Sequence, residues 1–145
     1  MSKVIIYNQK NGVMAVCVPA LNSGLTVEQV AEKDCPTGAK IIDKTDLDIL
    51  DNDFRNAWSC DEDMNPTINM SKAKDVWRDK IRRARIPKLE ELDIQFMKAQ
   101  EAGDDTSAIV TTKNKLRDFP AKPEIESATT VEELKAIWDN DLGEK

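Results

Sequence analysis

Histidine is missing from this chain, so side-chain chemistry at neutral pH would fall to three cysteines, 27 carboxylates and 21 lysine and arginine residues. Without imidazole there is no His-based triad and no imidazole acid or base, and most zinc sites lack a ligand. Cys17, Cys35 and Cys60 are an odd set with no CxxC spacing. They give no disulfide framework and suit a reducing compartment; each reads as a small packed apolar residue rather than a nucleophile.

The carboxylates are dense but badly spaced for chemistry. Asp46-Leu-Asp48-Ile-Leu-Asp51-Asn-Asp53 invites a calcium reading. An EF-hand loop numbered from Asp46 would need an oxygen ligand where Leu50 stands, a glycine at Asp51 and a glutamate at Ala57. The match fails, and a solvated acidic loop is the expectation. Glu90/Glu91 and Glu132/Glu133 are sequence neighbours, so on a helix they diverge instead of converging on one bond. No GxxxxGK[ST], GxGxxG or GxSxG motif occurs, and the five glycines build no phosphate cradle. No catalytic residue, metal ligand or cofactor site is assigned, and the chain is expected not to be an enzyme.

Charge is strongly segregated. Between Asp43 and Asp63, eight acids and two bases leave the segment at −6; between Lys72 and Lys88, eight bases and two acids leave it at +6. The basic run surrounds Val76, Trp77 and Ile81 and has no aromatic interleaving suited to base stacking. It reads as a solvated face or as the counterpart of the acidic segment. With a whole-chain charge of −6, nucleic-acid binding is not the expectation and stays an alternative.

These side chains must be positioned by recognisable elements. Val4–Tyr7 and Val13–Val18 are strand-like runs flanking Asn11-Gly12, a strong hairpin signal because both turn residues tolerate positive φ; Pro19 ends the second strand. Thr26-Val-Glu-Gln29 is a capping box opening a helix over about Val27–Asp34, with Val27, Val30 and Ala31 inward. Cys35-Pro36-Thr37-Gly38 stops it before a third strand, Lys40–Asp43, and Phe54, Ala57 and Trp58 read as an anchor on the sheet. Asn65-Pro66 marks a boundary.

Beyond it, Ser71 is a candidate cap for a helix with Val76, Trp77, Ile81 and Ala84 inward, a stripe that Leu89, Leu92, Phe96 and Ala99 continue. Pro87 lies within that stripe and predicts a kink or restart. Gly103 closes the helix, and Asp104-Asp105 opens a return helix with Ile109, Val110, Leu116 and Phe119 apolar. The short connection makes the two antiparallel. Thr130-Val-Glu-Glu133 caps a short final helix that places Val131, Leu134, Ile137 and Trp138 inward. Trp58, Trp77 and Trp138 are core residues or interface anchors, and Trp138, near the C-terminus, is the one expected to meet a partner.

The fold class is therefore α+β: a small N-terminal antiparallel or mixed sheet with one helix in residues 1–63, then a helical region in 64–145. The second part comprises a kinked helix, a return helix and a short capped C-terminal helix. The start, MSKVIIYNQ, is too short an apolar run for a signal peptide, and no stretch approaches the roughly 20 apolar residues that span a bilayer. A soluble, cytosolic protein is expected, with no membrane partner.

Residues 81–125 carry an Arg/Ala helix (Arg82, Arg83, Ala84), a Leu/Asp-rich hairpin, and Leu116-Arg117-Asp118 followed by Pro120 and Pro123. This pattern resembles the C-terminal region of tailed-bacteriophage tail fibre assembly proteins, a chaperone-like family. KVIIYNQKNGVMAVCVPA and LTVEQVAEKDCPTGAKIID look like small proteins encoded near phage tail genes. The chain departs from the family in its N-terminal half and in the capped helix added beyond the double-proline loop. The resemblance implies a non-enzymatic protein that binds a tail fibre or other tail subunit in the host cytoplasm and aids its assembly or attachment. Two other readings stay open: a permanent connector, adaptor or decoration protein of the virion, and a small regulator using helix 72–88 on nucleic acid. Trp77, Arg82, Arg83, Arg117, Asp118 and Trp138 are the candidate partner-binding residues.

Overall fold

The computed structural model describes residues 2–145 and is α+β. It divides into two compact units, Met1–Ala73 and Lys74–Lys145.

The first unit is built on a three-stranded antiparallel sheet of β1 (Lys3–Asn8), β2 (Met14–Cys17) and β3 (Lys40–Asp43), in the order β2-β1-β3. The Asn11-Gly12 turn is present. Gly12 has φ +80°, the Asn11 side chain accepts from the Val13 N–H at 2.9 Å, and the Gln9 N–H bonds the Val13 carbonyl. Strand alternation separates two faces. Val4, Ile6, Met14 and Ile42 enter an apolar cluster with Leu47, Leu50, Trp58 and Cys60. Ile5, fully buried, lies on the opposite face, opposite Cys17 on one side and Ile41 on the other.

Helix α1 (Val27–Asp34) packs on β1 and β3 and has the complete Thr26/Gln29 capping box. Of its three expected inward residues only Val30 is fully buried; Val27 and Ala31 are half-buried. The acidic segment 43–57 is shaped by 3-10 turns at Lys44–Leu47 and Asn52–Ala57. Leu47, Leu50, Phe54 and Ala57 anchor it inward while Asp46, Asp48 and Asp53 face water. Trp58 is buried, donates from its indole to the Asp51 carbonyl at 3.0 Å, and carries the Arg55 guanidinium over its ring at 4.7 Å.

Asn65-Pro66 belongs to a hairpin: β4 (Trp58–Cys60) pairs antiparallel with β5 (Pro66–Ile68). Its turn is closed by Asp61, whose carboxylate accepts from the Asp63 and Asn65 N–H groups, and by Met64 at φ +60°. The Asn8 side-chain amide joins this hairpin to β1, accepting from the Cys60 N–H (2.8 Å) and donating to the Cys60 carbonyl (3.0 Å).

Helix α2 (Met70–Glu101) starts in the first unit and continues into the second. The expected Ser71 cap is displaced: Asn69 accepts from the Lys72 N–H at 3.1 Å and its carbonyl receives Ala73. The expected restart at Pro87 does not occur, and the helix runs through it. Proline removes one N–H from the ladder, which frees the Arg83 carbonyl. Arg83 and Pro87 are both exposed, so water can serve that carbonyl.

In the second unit, α3 (Ser107–Asp118) returns beside α2. It is followed by a 3-10 turn at Phe119–Ala121, α4 (Pro123–Ser127) and α5 (Val131–Ala136). The core gathers Trp77, Ile81, Leu116, Phe119, Ile125, Leu134 and Leu142. Thr130 caps α5, but Glu133 reaches back to the N–H of Thr129, one residue earlier than a capping box requires. The final helix ends at Ala136 and does not extend through Trp138: Ile137 turns the chain at φ −83°, ψ 85°, an inverse γ-turn closed by the Trp138 N–H on Ala136.

Candidate protein-binding site

The hairpin of α2 and α3 is the part of the second unit whose construction points outward. Its tip is a complete helix stop. Gly103 at φ +74° lets its own N–H bond Gln100 and the Asp104 N–H bond Ala99, the paired bonds of a Schellman motif. Asp105 then caps α3 from one residue further out than usual, accepting from the Ser107 N–H at 2.9 Å and the Ser107 hydroxyl at 2.6 Å. Those two hydrogen bonds hold its carboxyl below the usual aspartate range. At the other end of α3, Arg85 of α2 donates to the carbonyls of Leu116 (3.3 Å) and Arg117 (2.6 Å). A cation is favoured there because the last carbonyls of a helix are unpaired and carry its negative pole. Between these ends Lys113 pairs with Asp93 and lies 5.2 Å from the Phe96 ring centroid.

The seam between the two helices is thin. From Arg82 to Lys115 no residue is fully buried. Leu89, Leu92, Phe96, Ala99 and Ile109, the apolar positions that should close it, are each only half-buried. Outside the seam Ile94 is 52% and Met97 59% exposed, and Ile86 and Val110 are exposed as well. At 100° per residue, Ile86, Ile94 and Met97 fall within about 80° of one another on the side of α2 turned away from Leu89, Leu92, Phe96 and Ala99, with exposed Glu90 among them.

The candidate residues divide between inside and outside. Trp77 is 1% exposed, donates from its indole to the Ile137 carbonyl at 3.0 Å, and is stacked edge-on by Trp138 at 5.7 Å. It therefore leaves the candidate surface and acts as core. Trp138 is half-buried, and its indole N–H is held by the Gly143 carbonyl at 2.8 Å. Arg82 and Arg83 are exposed, the first paired with Asp79 at 2.8 Å and the second donating to the Asp79 carbonyl at 3.4 Å. Arg117 and Asp118 are exposed at the end of α3, where Arg117 donates to Asn114 at 3.4 Å. Sequence reasoning overlooked the stripe Ile86, Ile94, Met97. Its signal was present as apolar positions left outside the main α2 periodicity.

Other polar clusters are engaged in holding the fold. In the first unit a depression of about 490 Å³ is lined by Lys3, Lys40, Asp43, Asp46, Ile49 and Asn65. There Lys3 pairs with Asp43 at 2.7 Å and Lys40 donates to Asn65 at 3.0 Å. Among the described residues no three His, Cys, Asp or Glu side chains gather as a metal-binding group, and no helix is long and apolar enough to cross a membrane. No protein-family model, curated protein or solved structure matches this chain.

Proposed function

We propose that this protein is a non-enzymatic binding module whose α2–α3 hairpin docks on a bacteriophage tail fibre or other tail subunit and aids its assembly or attachment. The observation carrying the binding role is apolar surface left in water on both sides of α2: the half-buried seam and, on the side turned away from it, exposed Ile86, Ile94 and Met97. Two helices that leave their joint apolar surface partly in water gain by covering it with a third element. The tail-protein partner follows from the resemblance carried by Arg82-Arg83-Ala84, Leu116-Arg117-Asp118 and Pro120/Pro123. Arg117 and Asp118, exposed where α3 ends, supply charge-assisted hydrogen bonds that orient the partner.

The test is affinity capture of the full-length chain from phage-infected cells, beside the double variant Ile94→Asp/Met97→Asp. The wild type should retain a tail or fibre protein. The variant should lose it by roughly 30-fold or more, as removal of hot-spot anchors does, with its melting temperature almost unchanged because both positions are exposed. Capture of no tail or fibre protein, or equal capture by the variant, rejects the proposal. Mass spectrometry of purified particles then separates an assembly factor, absent from them, from a resident virion component.

A further inference from the structure

The first unit carries a second device, independent of the hairpin. Cys17 is the last residue of β2, an edge strand of the sheet, and stands opposite Ile5. Residues directly opposite in an antiparallel pair point to the same side. Cys17 therefore shares the Ile5 face, away from the cluster containing Val4 and Ile6 and towards α1. Cys35 is the C-cap of α1, and its N–H closes on the Ala31 carbonyl at 3.2 Å. With Val30 and Ala31 it lies on the inward side of that helix, half-buried like Cys17. Cys17 is thus the thiol that neighbours Cys35 on this side of the sheet, whereas Cys60 is buried in the cluster on the opposite face.

Between the two cysteines the chain is weakly held. Val18 is 65% and Leu21 100% exposed, and α1 is anchored by one fully buried side chain, Val30. A segment with so few buried contacts opens at low free-energy cost. A covalent bond at its two ends would restrain it, because cross-linking removes conformations from the open chain.

We infer that Cys17 and Cys35 form a reversible intramolecular disulfide that staples α1 to the edge strand under oxidising conditions. The oxidant is a low-molecular-weight disulfide such as oxidised glutathione. One cysteine thiolate attacks a sulfur of that disulfide, forming a mixed disulfide and releasing one small thiol. The neighbouring cysteine thiolate then attacks the protein-bound sulfur; the Cys17–Cys35 bond forms and a second small thiol leaves. The protein loses two electrons and two protons, and the small disulfide is reduced to two thiols.

The experiment treats the folded full-length protein with oxidised glutathione and follows intact mass, peptide mapping and thermal melting. The expected product is a monomer lighter by about 2 Da, with peptides 17 and 35 joined and Cys60 free. Its melting midpoint for the first unit should rise on the order of 10 °C and fall back with reductant. Cys17→Ser and Cys35→Ser, shown to melt like the reduced wild type, should each stop at a single glutathione adduct. A stable adduct on the wild type, a covalent dimer, a bond to Cys60, no reaction, or closure without a rise in melting temperature would each overturn the inference.

Discussion

Lys115 holds two carboxylates at once, Asp139 at 2.8 Å and Asp141 at 2.9 Å, and so ties α3 to the C-terminal segment. Donating hydrogen bonds to these carboxylates raises the Lys115 pKa above its ordinary 10.5, and Lys115 in turn lowers Asp139 below 3.8. Arg78 lowers Glu126 below 4.5 in the same way. A depressed carboxylate contributes stability that is complete above its unfolded pKa and is lost as pH falls through the folded one. A raised lysine contributes below its unfolded pKa and loses that contribution as pH climbs through the folded value. The second unit should therefore show a plateau of stability between about pH 5 and 10 with a limb at each end. Lys115→Met should flatten both limbs in a pH series of thermal melts; an unaltered profile would show that the pair contributes nothing measurable. Trp77 supports a sharper expectation. Trp77→Phe keeps most of the apolar volume but leaves the Ile137 carbonyl without its donor, which should cost about 1–3 kcal/mol in urea unfolding.

At the scale of elements, Gly103 and Pro87 make opposite claims about the hairpin. Nothing lies within 4 Å of a Cβ placed on Gly103, so its substitution is limited by its φ of +74° alone. Gly103→Ala should destabilise by about 1–2 kcal/mol, and Gly103→Asn, which tolerates that region better, by less. Pro87 is exposed within a helix that continues past it, so Pro87→Ala should restore one backbone bond and stabilise by about 1–3 kcal/mol in chemical denaturation. A loss of stability would mean that Pro87 sets a bend the second unit needs. The same residues show what the sequence makes legible. Thr26/Gln29 and Asn11-Gly12 act through bonds within a few residues, and the elements they announce stand where expected. The β4–β5 hairpin was hidden because its strands have three residues each, one opens with proline, and its turn puts Met64, not glycine, at positive φ. Half-burial of that methionine on the apolar cluster offsets the strain, a tertiary effect with no local signature. Continuity through Pro87 was equally hidden, since it depends on which carbonyl faces water. Of the candidate site, Arg117 and Asp118 were visible as an exposed exit from α3. Ile86, Ile94 and Met97 were masked by the stronger periodicity of the seam on the other side of α2.

Over the whole molecule the charge is −6, yet residues 72–88 carry +6, so what those cations already hold bears on whether they could bind a nucleic acid. Free cations along a helix would track phosphates and release counterions. Most of these cations are engaged within the second unit. Lys74 donates to the Glu126 carbonyl at 2.6 Å, Arg78 pairs with Asp75 and Glu126, and Arg82 pairs with Asp79. Lys80 lies over the Trp77 ring at 5.0 Å, and Arg85 closes the end of α3. Using them on a phosphate backbone would mean giving up contacts that hold α2 to α3, α4 and the tryptophan pair, against the repulsion of an acidic protein. Duplex DNA of about 30 base pairs should therefore show no mobility shift at 0.1 M salt with protein up to about 10 µM. A shifted band whose affinity falls steeply with salt, and which Arg82→Glu/Arg83→Glu abolishes, would reverse this conclusion. The hairpin would then be the support of a nucleic-acid-binding helix and not itself the binding element.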